Sequence, residues 1–216
     1  MKKRFYVSYL LLLMFILGAC TEEKIRVACV GNSITYGANI QNRDSDSYPA
    51  VLQQLLDSNK YEVRNYGFSS RTLLNKGDYP YMKEDMFSEA LNFQPNIVVI
   101  KLGTNDSKPQ NWLYKEEYSQ DMQAMIDAFR GLPSNPDIYL CYPAKAYSVE
   151  WGINDSIIVN DIIPYINQIA ETNNLKIIDL HTATENMEDN FPDKIHPNEE
   201  GAKILAETVY KALLIE

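Results

Sequence analysis

Apolar and polar positions along this chain fall into two alternating rhythms. Compact apolar runs at Lys24–Val30, Tyr61–Tyr66, Asn96–Leu102, Asp137–Tyr142 and Lys176–Leu180 predict five strands. The run IVVI at 97–100 has no polar position, the pattern of a strand buried on both faces. Between these runs the apolar residues recur at helical spacing. Tyr48–Ser58 carries Val51, Leu52, Leu55 and Leu56 on one face. Tyr81–Phe93 ends before Pro95, and Lys115–Phe129 is stopped by Gly131 and Pro133. Asp155–Glu171 is helical but contains Pro164, which predicts a kink or a split. Asn198–Leu214 is the closing helix.

Strands alternating with helices imply a parallel sheet covered on both faces, because parallel neighbours need a crossover between them. Right-handed crossovers leave few topologies. The most economical is a three-layer α/β/α domain over residues 24–216, a five-stranded parallel sheet in the flavodoxin-like order 2-1-3-4-5. Such sheets bind ligands beyond the carboxyl ends of their strands, at the switch point, here between strands 1 and 3. Strand 1 runs into GNS (31–33) and strand 3 into LGTND (102–106).

The first residues follow another logic. Lys2, Lys3 and Arg4 precede an apolar stretch, Phe5 to Leu17, that is short of the ~20 residues a spanning helix needs. The layout predicts an export signal over 1–19. LGAC (17–20) resembles a bacterial lipoprotein cleavage box, which makes Cys20 the lipid-bearing residue and 20–23 a tether to a membrane. The expected location is the periplasmic or cell-surface side. The formal net charge is −9, and cleavage would remove three positive charges. Such a surface repels nucleic acid, so no nucleic-acid partner is expected. Cys29 and Cys141 lie inside strands and read as buried free thiols. With two histidines in the chain and no Cys/His cluster at zinc spacing, neither a metal nor a cofactor is expected.

Between Gly31 and Gly37 the chain presents one serine, Ser33, at the functional edge. A serine hydroxyl attacks only when a base takes its proton. His181 and His196 are the side chains suited to that near neutral pH. His196 follows Asp193 in DKIH, so one ring nitrogen can face a carboxylate and the other the serine. His181, in DLH at the end of strand 5, reads as a loop histidine bonded to backbone. Acyl transfer also needs donors for an oxyanion. Candidates are the backbone N–H groups of Ser33 and Gly67 and the side-chain amide of Asn105. Asp106 reads as a structural residue capping the next turn.

GNSITYG, NYGFSS, GTND and DKIH arrive in that order, and together they resemble the SGNH (GDSL-type) hydrolase family across Lys24 to the C-terminus. The resemblance implies the SGNH hydrolase fold and a serine ester hydrolase. Ser33, Gly67, Asn105 and His196 fall on the signature positions, with Asp193 as the histidine's partner. Asn32 departs from the aspartate usual before the serine. LGTNDSKPQNW is similar to carbohydrate-directed members, including sialate and xylan acetylesterases. Removal of O-acetyl groups from a glycan is therefore the leading expectation, with an ester-bearing small molecule or glycan as partner. Trp112 and Trp151 sit on aromatic loops that should border the site, where flat rings suit sugar faces. Arg71 could pair with the carboxylate of an acidic sugar such as sialic acid. A lysophospholipase or thioesterase on the same triad is the alternative. A non-catalytic glycan-binding lipoprotein is the alternative from another class.

Overall fold

The computed structural model describes residues 23–214. The expected signal peptide (1–19) and the lipid-bearing Cys20 lie outside the described residues. Five strands form one parallel sheet: β1 (Ile25–Gly31), β2 (Tyr61–Gly67), β3 (Ile97–Lys101), β4 (Asp137–Cys141) and β5 (Lys176–Ile178). Their spatial order is β2-β1-β3-β4-β5, as the alternation of elements required.

Side-chain alternation divides the core in two. Ala28, Val30, Val98, Ile100 and Leu140 face one layer, which holds the helices Asp85–Asn92, Tyr118–Arg130 and Ile163–Asn173. Val27, Cys29, Val99, Tyr139 and Cys141 face the other, which holds Tyr48–Leu55 and Glu199–Leu214. Cys29 and Cys141 are buried and unpaired.

Departures from the sequence expectation occur where polar groups redirect the backbone. The predicted helix 81–93 divides at Glu84 into a 3-10 turn, Tyr81–Lys83, and the helix Asp85–Asn92. Strand 5 stops at Ile178, because the Asp179 carboxylate accepts the Thr182 N–H (2.8 Å) and opens a short helix, Leu180–Ala183. The split expected at Pro164 takes the form of a π-helical turn, Ile158–Ile162, just ahead of the helix whose first turn contains the proline. A proline lacks the N–H that a regular turn would use there, and its ring crowds the preceding carbonyls.

A candidate hydrolytic site at the sheet switch point

β1 ends at Gly31, and Asn32 caps a one-turn helix, Ser33–Tyr36, by accepting the Ile34 N–H (3.2 Å). Ser33 therefore opens a helix, and its N–H has no acceptor within that helix. Gly31 is obligatory, since a β-carbon would lie 2.7 Å from the Lys101 carbonyl of the neighbouring strand. Gly37 ends the turn in left-handed conformation (φ 89°), where its N–H donates to the Ser33 carbonyl.

Near the other end of the chain, Asp193 Oδ1 accepts the backbone N–H groups of Ile195 (3.0 Å) and His196 (2.6 Å). Its Oδ2 lies 2.8 Å from His196 Nδ1, and His196 Nε2 lies 2.8 Å from Ser33 Oγ. With the Nδ1 proton directed at Asp193, Nε2 keeps its lone pair and accepts from the serine hydroxyl. Burial pushes the Asp193 carboxyl up, but its hydrogen bonds from the His196 backbone, the His196 ring and Ile195 outweigh that and hold it below the ordinary value. The acid thus stays ionised behind the imidazole. Ser33, His196 and Asp193 are brought together as the sequence suggested.

His181 is held elsewhere. Its Nε2 lies 3.1 Å from Asp155 Oδ1, and that carboxylate also accepts from Lys145 Nζ (2.6 Å) and the Ala146 N–H (2.9 Å). Burial raises the Asp155 carboxyl, yet the bonds from His181, Lys145 and Ala146 pull it down to about 2. The expected backbone partner is thus replaced by an ion-pair network.

Three expectations are corrected. The Gly67 N–H donates to the Asn65 side-chain oxygen (2.8 Å), so it is engaged within its own turn. Asn65 also donates to the Thr35 carbonyl (2.8 Å), and a β-carbon on Gly67 would strike the backbone of Thr35 and Tyr36. Gly67 is there to let the end of β2 close on the serine turn. Trp112 is buried, not a cleft wall. Its indole N–H donates to Asp161 (2.8 Å) and its ring meets Tyr118 and Tyr165 edge-on. Asp106 is structural as expected, but the segment it chiefly holds is not the next turn: its carboxylate accepts the N–H groups of Leu73 (3.1 Å) and Leu74 (2.8 Å) from a distant loop.

Asn105 Nδ2 donates to the Arg71 carbonyl (3.1 Å), which brings the Ser69–Arg71 turn against the end of β3. Ser70 in that turn has φ 70°, a left-handed conformation uncommon for a residue with a β-carbon. The Arg71 guanidinium is paired with Glu84 (2.8 Å), donates to the Ser69 carbonyl and lies over the Phe68 ring. It already has an internal carboxylate partner. Trp151, by contrast, is 57% exposed, and its ring centroid stands 5.5 Å from that of His196. It holds φ 54° just before Gly152 at φ 79°, a strained backbone of the kind that clusters at functional sites.

Sequence reasoning missed the floor beneath the serine. Lys101, the last residue of β3, has no solvent exposure, and its Nζ lies 3.5 Å from Asn32 Oδ1. Asn32 Nδ2 is buried with no acceptor. Burial drives the Lys101 ammonium down to about 7. The signal in the chain was a lysine directly following IVVI, a charge too deep in a buried run to reach solvent. Among the described residues no group of His, Cys, Asp or Glu could hold a metal ion.

Comparison with known proteins places the family and the fold. Residues 29–204 match the GDSL-like Lipase/Acylhydrolase family. An acetylxylan esterase of Xylanibacter ruminicola is 47% identical over 210 residues, covering 89% of this chain and 44% of that protein. This chain thus spans less than half the length of that relative. Among solved structures, the lipase/acylhydrolase of Enterococcus faecalis superposes with a TM-score of 0.71 at 20% identity, over 87% of this chain and 94% of that one. The acetyl xylan esterase AlAXEase superposes with a TM-score of 0.65 at 20% identity, over 88% and 100%. A serine turn at the sheet switch point, a family match over most of the domain and a relative this similar lead to one assignment: the chain belongs to the GDSL-like lipase/acylhydrolase family.

Proposed function

We propose that this protein is a serine carboxylic ester hydrolase that removes O-acetyl groups from neutral, xylan-type carbohydrate. The observation that carries the reading is the unbroken relay Ser33–His196–Asp193, with both links at 2.8 Å. In this mechanism Ser33 Oγ attacks the acetyl carbonyl while its proton passes to His196 Nε2. The tetrahedral intermediate then collapses. The imidazolium returns the proton to the departing sugar oxygen, leaving acetyl-serine. Water, deprotonated by the same nitrogen, attacks that ester and releases acetate.

The oxyanion needs donors already in place. We assign this role to the Ser33 N–H, to the remaining Asn105 amide hydrogen and, in place of Gly67, to the backbone N–H of Ser70. Asn105 supplies one hydrogen to the Arg71 carbonyl and keeps a second, and that same contact draws the Ser70 turn alongside it. The neutral-sugar preference rests on two observations. Trp151 offers an exposed ring beside the base, suited to a sugar's C–H face. Arg71, the residue that could have received an acidic sugar, is already paired with Glu84. The name of the 47% identical relative points the same way. Lipid attachment at Cys20 and display outside the cytoplasm complete the proposal; intact-mass measurement of protein from membranes, showing a diacylglyceryl adduct on Cys20, would bear them out.

The test is a substrate panel of acetylated xylo-oligosaccharides, acetylated sialic acids and p-nitrophenyl esters of increasing chain length. Fast acetate release from the xylo-oligosaccharides is expected. Preference for chains of eight or more carbons would favour the lysophospholipase or thioesterase reading. A folded protein inert towards every ester would leave the glycan-binding reading.

A further inference from the structure

We propose that Asn39 is a positioning residue for His196, acting through the Asp193 carboxylate; this rests on the relay reading above. Asn39 follows the serine turn, and its Nδ2 donates to Asp193 Oδ2 at 2.6 Å. That is the same oxygen His196 Nδ1 addresses at 2.8 Å. Oδ1 is taken by two backbone N–H groups, so four donors converge on the two carboxylate oxygens. The Asn39 amide is the side-chain donor on Asp193 from outside its own loop.

The backbone around Asn39 is built to aim this amide. Gly37 and Ala38 both donate to the Ser33 carbonyl (3.0 and 2.9 Å), so the segment leading to Asn39 hangs from the nucleophile's own peptide. Asn39 then takes φ 68°, a conformation asparagine tolerates better than other residues with a β-carbon. A closed circuit results. It runs from Ser33 along the chain to Asn39, across to Asp193, to His196 and back to Ser33 Oγ. The Asn39 bridge thus links serine and acid by a path that does not pass through the imidazole, the group that carries the serine proton to the leaving oxygen.

The chemical consequence has a definite sign. A donor on Oδ2 shares that oxygen's electron density with the imidazole N–H. Removing it leaves a carboxylate that binds the imidazolium more strongly, so His196 should hold its proton to higher pH. Ser33 and the uncharged Trp151 ring also face the His196 ring. The neighbouring Lys194 is turned to Glu188 (3.0 Å). Because Asn39 is exposed and its amide can turn to water instead, a purely structural bond to the partly buried Asp193 would add only modestly to stability.

Two variants separate these roles. Asn39→Gly keeps the left-handed backbone and deletes the amide; Asn39→Asp replaces the donor with a second carboxylate. With two histidines in the chain, proton NMR resolves each ring's titration, and His196→Gln assigns the signals. The midpoint for His196 should move upward in Asn39→Gly and further in Asn39→Asp, with that for His181 unmoved. On p-nitrophenyl acetate, kcat should fall about tenfold in Asn39→Gly with KM and the thermal midpoint near wild type. Unmoved His196 titration in both folded variants would overturn the proposal, as would a kcat loss matched by loss of folded protein. Wild-type protein inert on every ester, with the His196 titration still moving in the variants, would refute the esterase reading and leave the role of Asn39 standing.

Discussion

Replacing Lys101 with methionine should make this protein more stable at neutral pH, although it removes a hydrogen-bonding group from the core. Lys101 is fully buried, and the oxygen its ammonium addresses, Asn32 Oδ1, is neutral and 3.5 Å away. Folding lowers its ammonium from 10.5 to about 7. Between those two values the unfolded chain carries a proton that the folded chain does not. Stability therefore rises with pH across that window, and the full penalty is present below pH 7. The gap of roughly three and a half pH units, at about 1.36 kcal/mol each, sets a ceiling near ~5 kcal/mol for the penalty. Methionine has similar length and no charge, and Asn32 keeps the Ile34 N–H. Allowing for local relaxation, Lys101→Met should gain about 2–4 kcal/mol at pH 6. The gain should shrink to near zero by pH 10.5, where the lysine is neutral in the folded state and only half protonated in the unfolded one. Urea melts of both proteins across pH 6–10.5 provide the measurement, read as a difference so that other titrating groups cancel. Parallel stability curves, or a variant less stable at every pH, would refute the argument by showing that the ammonium is solvated or paired.

The remaining expectations concern the site and its supports. Ser33→Ala should abolish ester turnover and retain the fold, and His196→Ala should lose several orders of magnitude, whereas His181→Ala should lose little activity; kcat measurements with circular dichroism decide this, and a reversal of the two histidines would displace the base assignment. Turnover should fall at acidic pH as the base protonates and becomes unable to accept the serine proton, visible as an acid limb in kcat/KM. Trp151→Ala should raise KM for acetylated xylo-oligosaccharides and leave p-nitrophenyl acetate nearly unaffected; equal effects on both substrates would remove the platform role. Asp106→Ala would strand two buried N–H groups, and a loss of about 2–4 kcal/mol in a denaturant melt is expected. A phosphonate adduct on Ser33, solved crystallographically, should place its oxygen within hydrogen-bond reach of the Ser33 and Ser70 N–H groups and Asn105 Nδ2; contact with the Gly67 N–H instead would restore the glycine.

Period and punctuation along the chain were enough for the architecture. Five apolar runs, the helices between them and the right-handed crossover rule yielded the strand order, because each is a local or nearly local property. The meeting of Ser33, His196 and Asp193 was also legible, since Ser33 has few possible partners in a chain with two histidines. What the chain could not announce was the destination of each polar group. Gly67 stands in a motif that suggests an open N–H, and the fold gives that N–H to Asn65. Trp112 lies on a loop that suggests a cleft, and the fold turns it onto Tyr118 and Tyr165. Arg71 suggests an anion site, and the fold provides Glu84. Asn39 and Asp193 are 154 positions apart, and Lys101 meets Asn32 across 69. Helical and strand preference is decided within a few residues by backbone sterics and burial. A hydrogen-bond partner is chosen among all groups that the packed layers bring within about 3 Å, and only the assembled tertiary structure makes that choice.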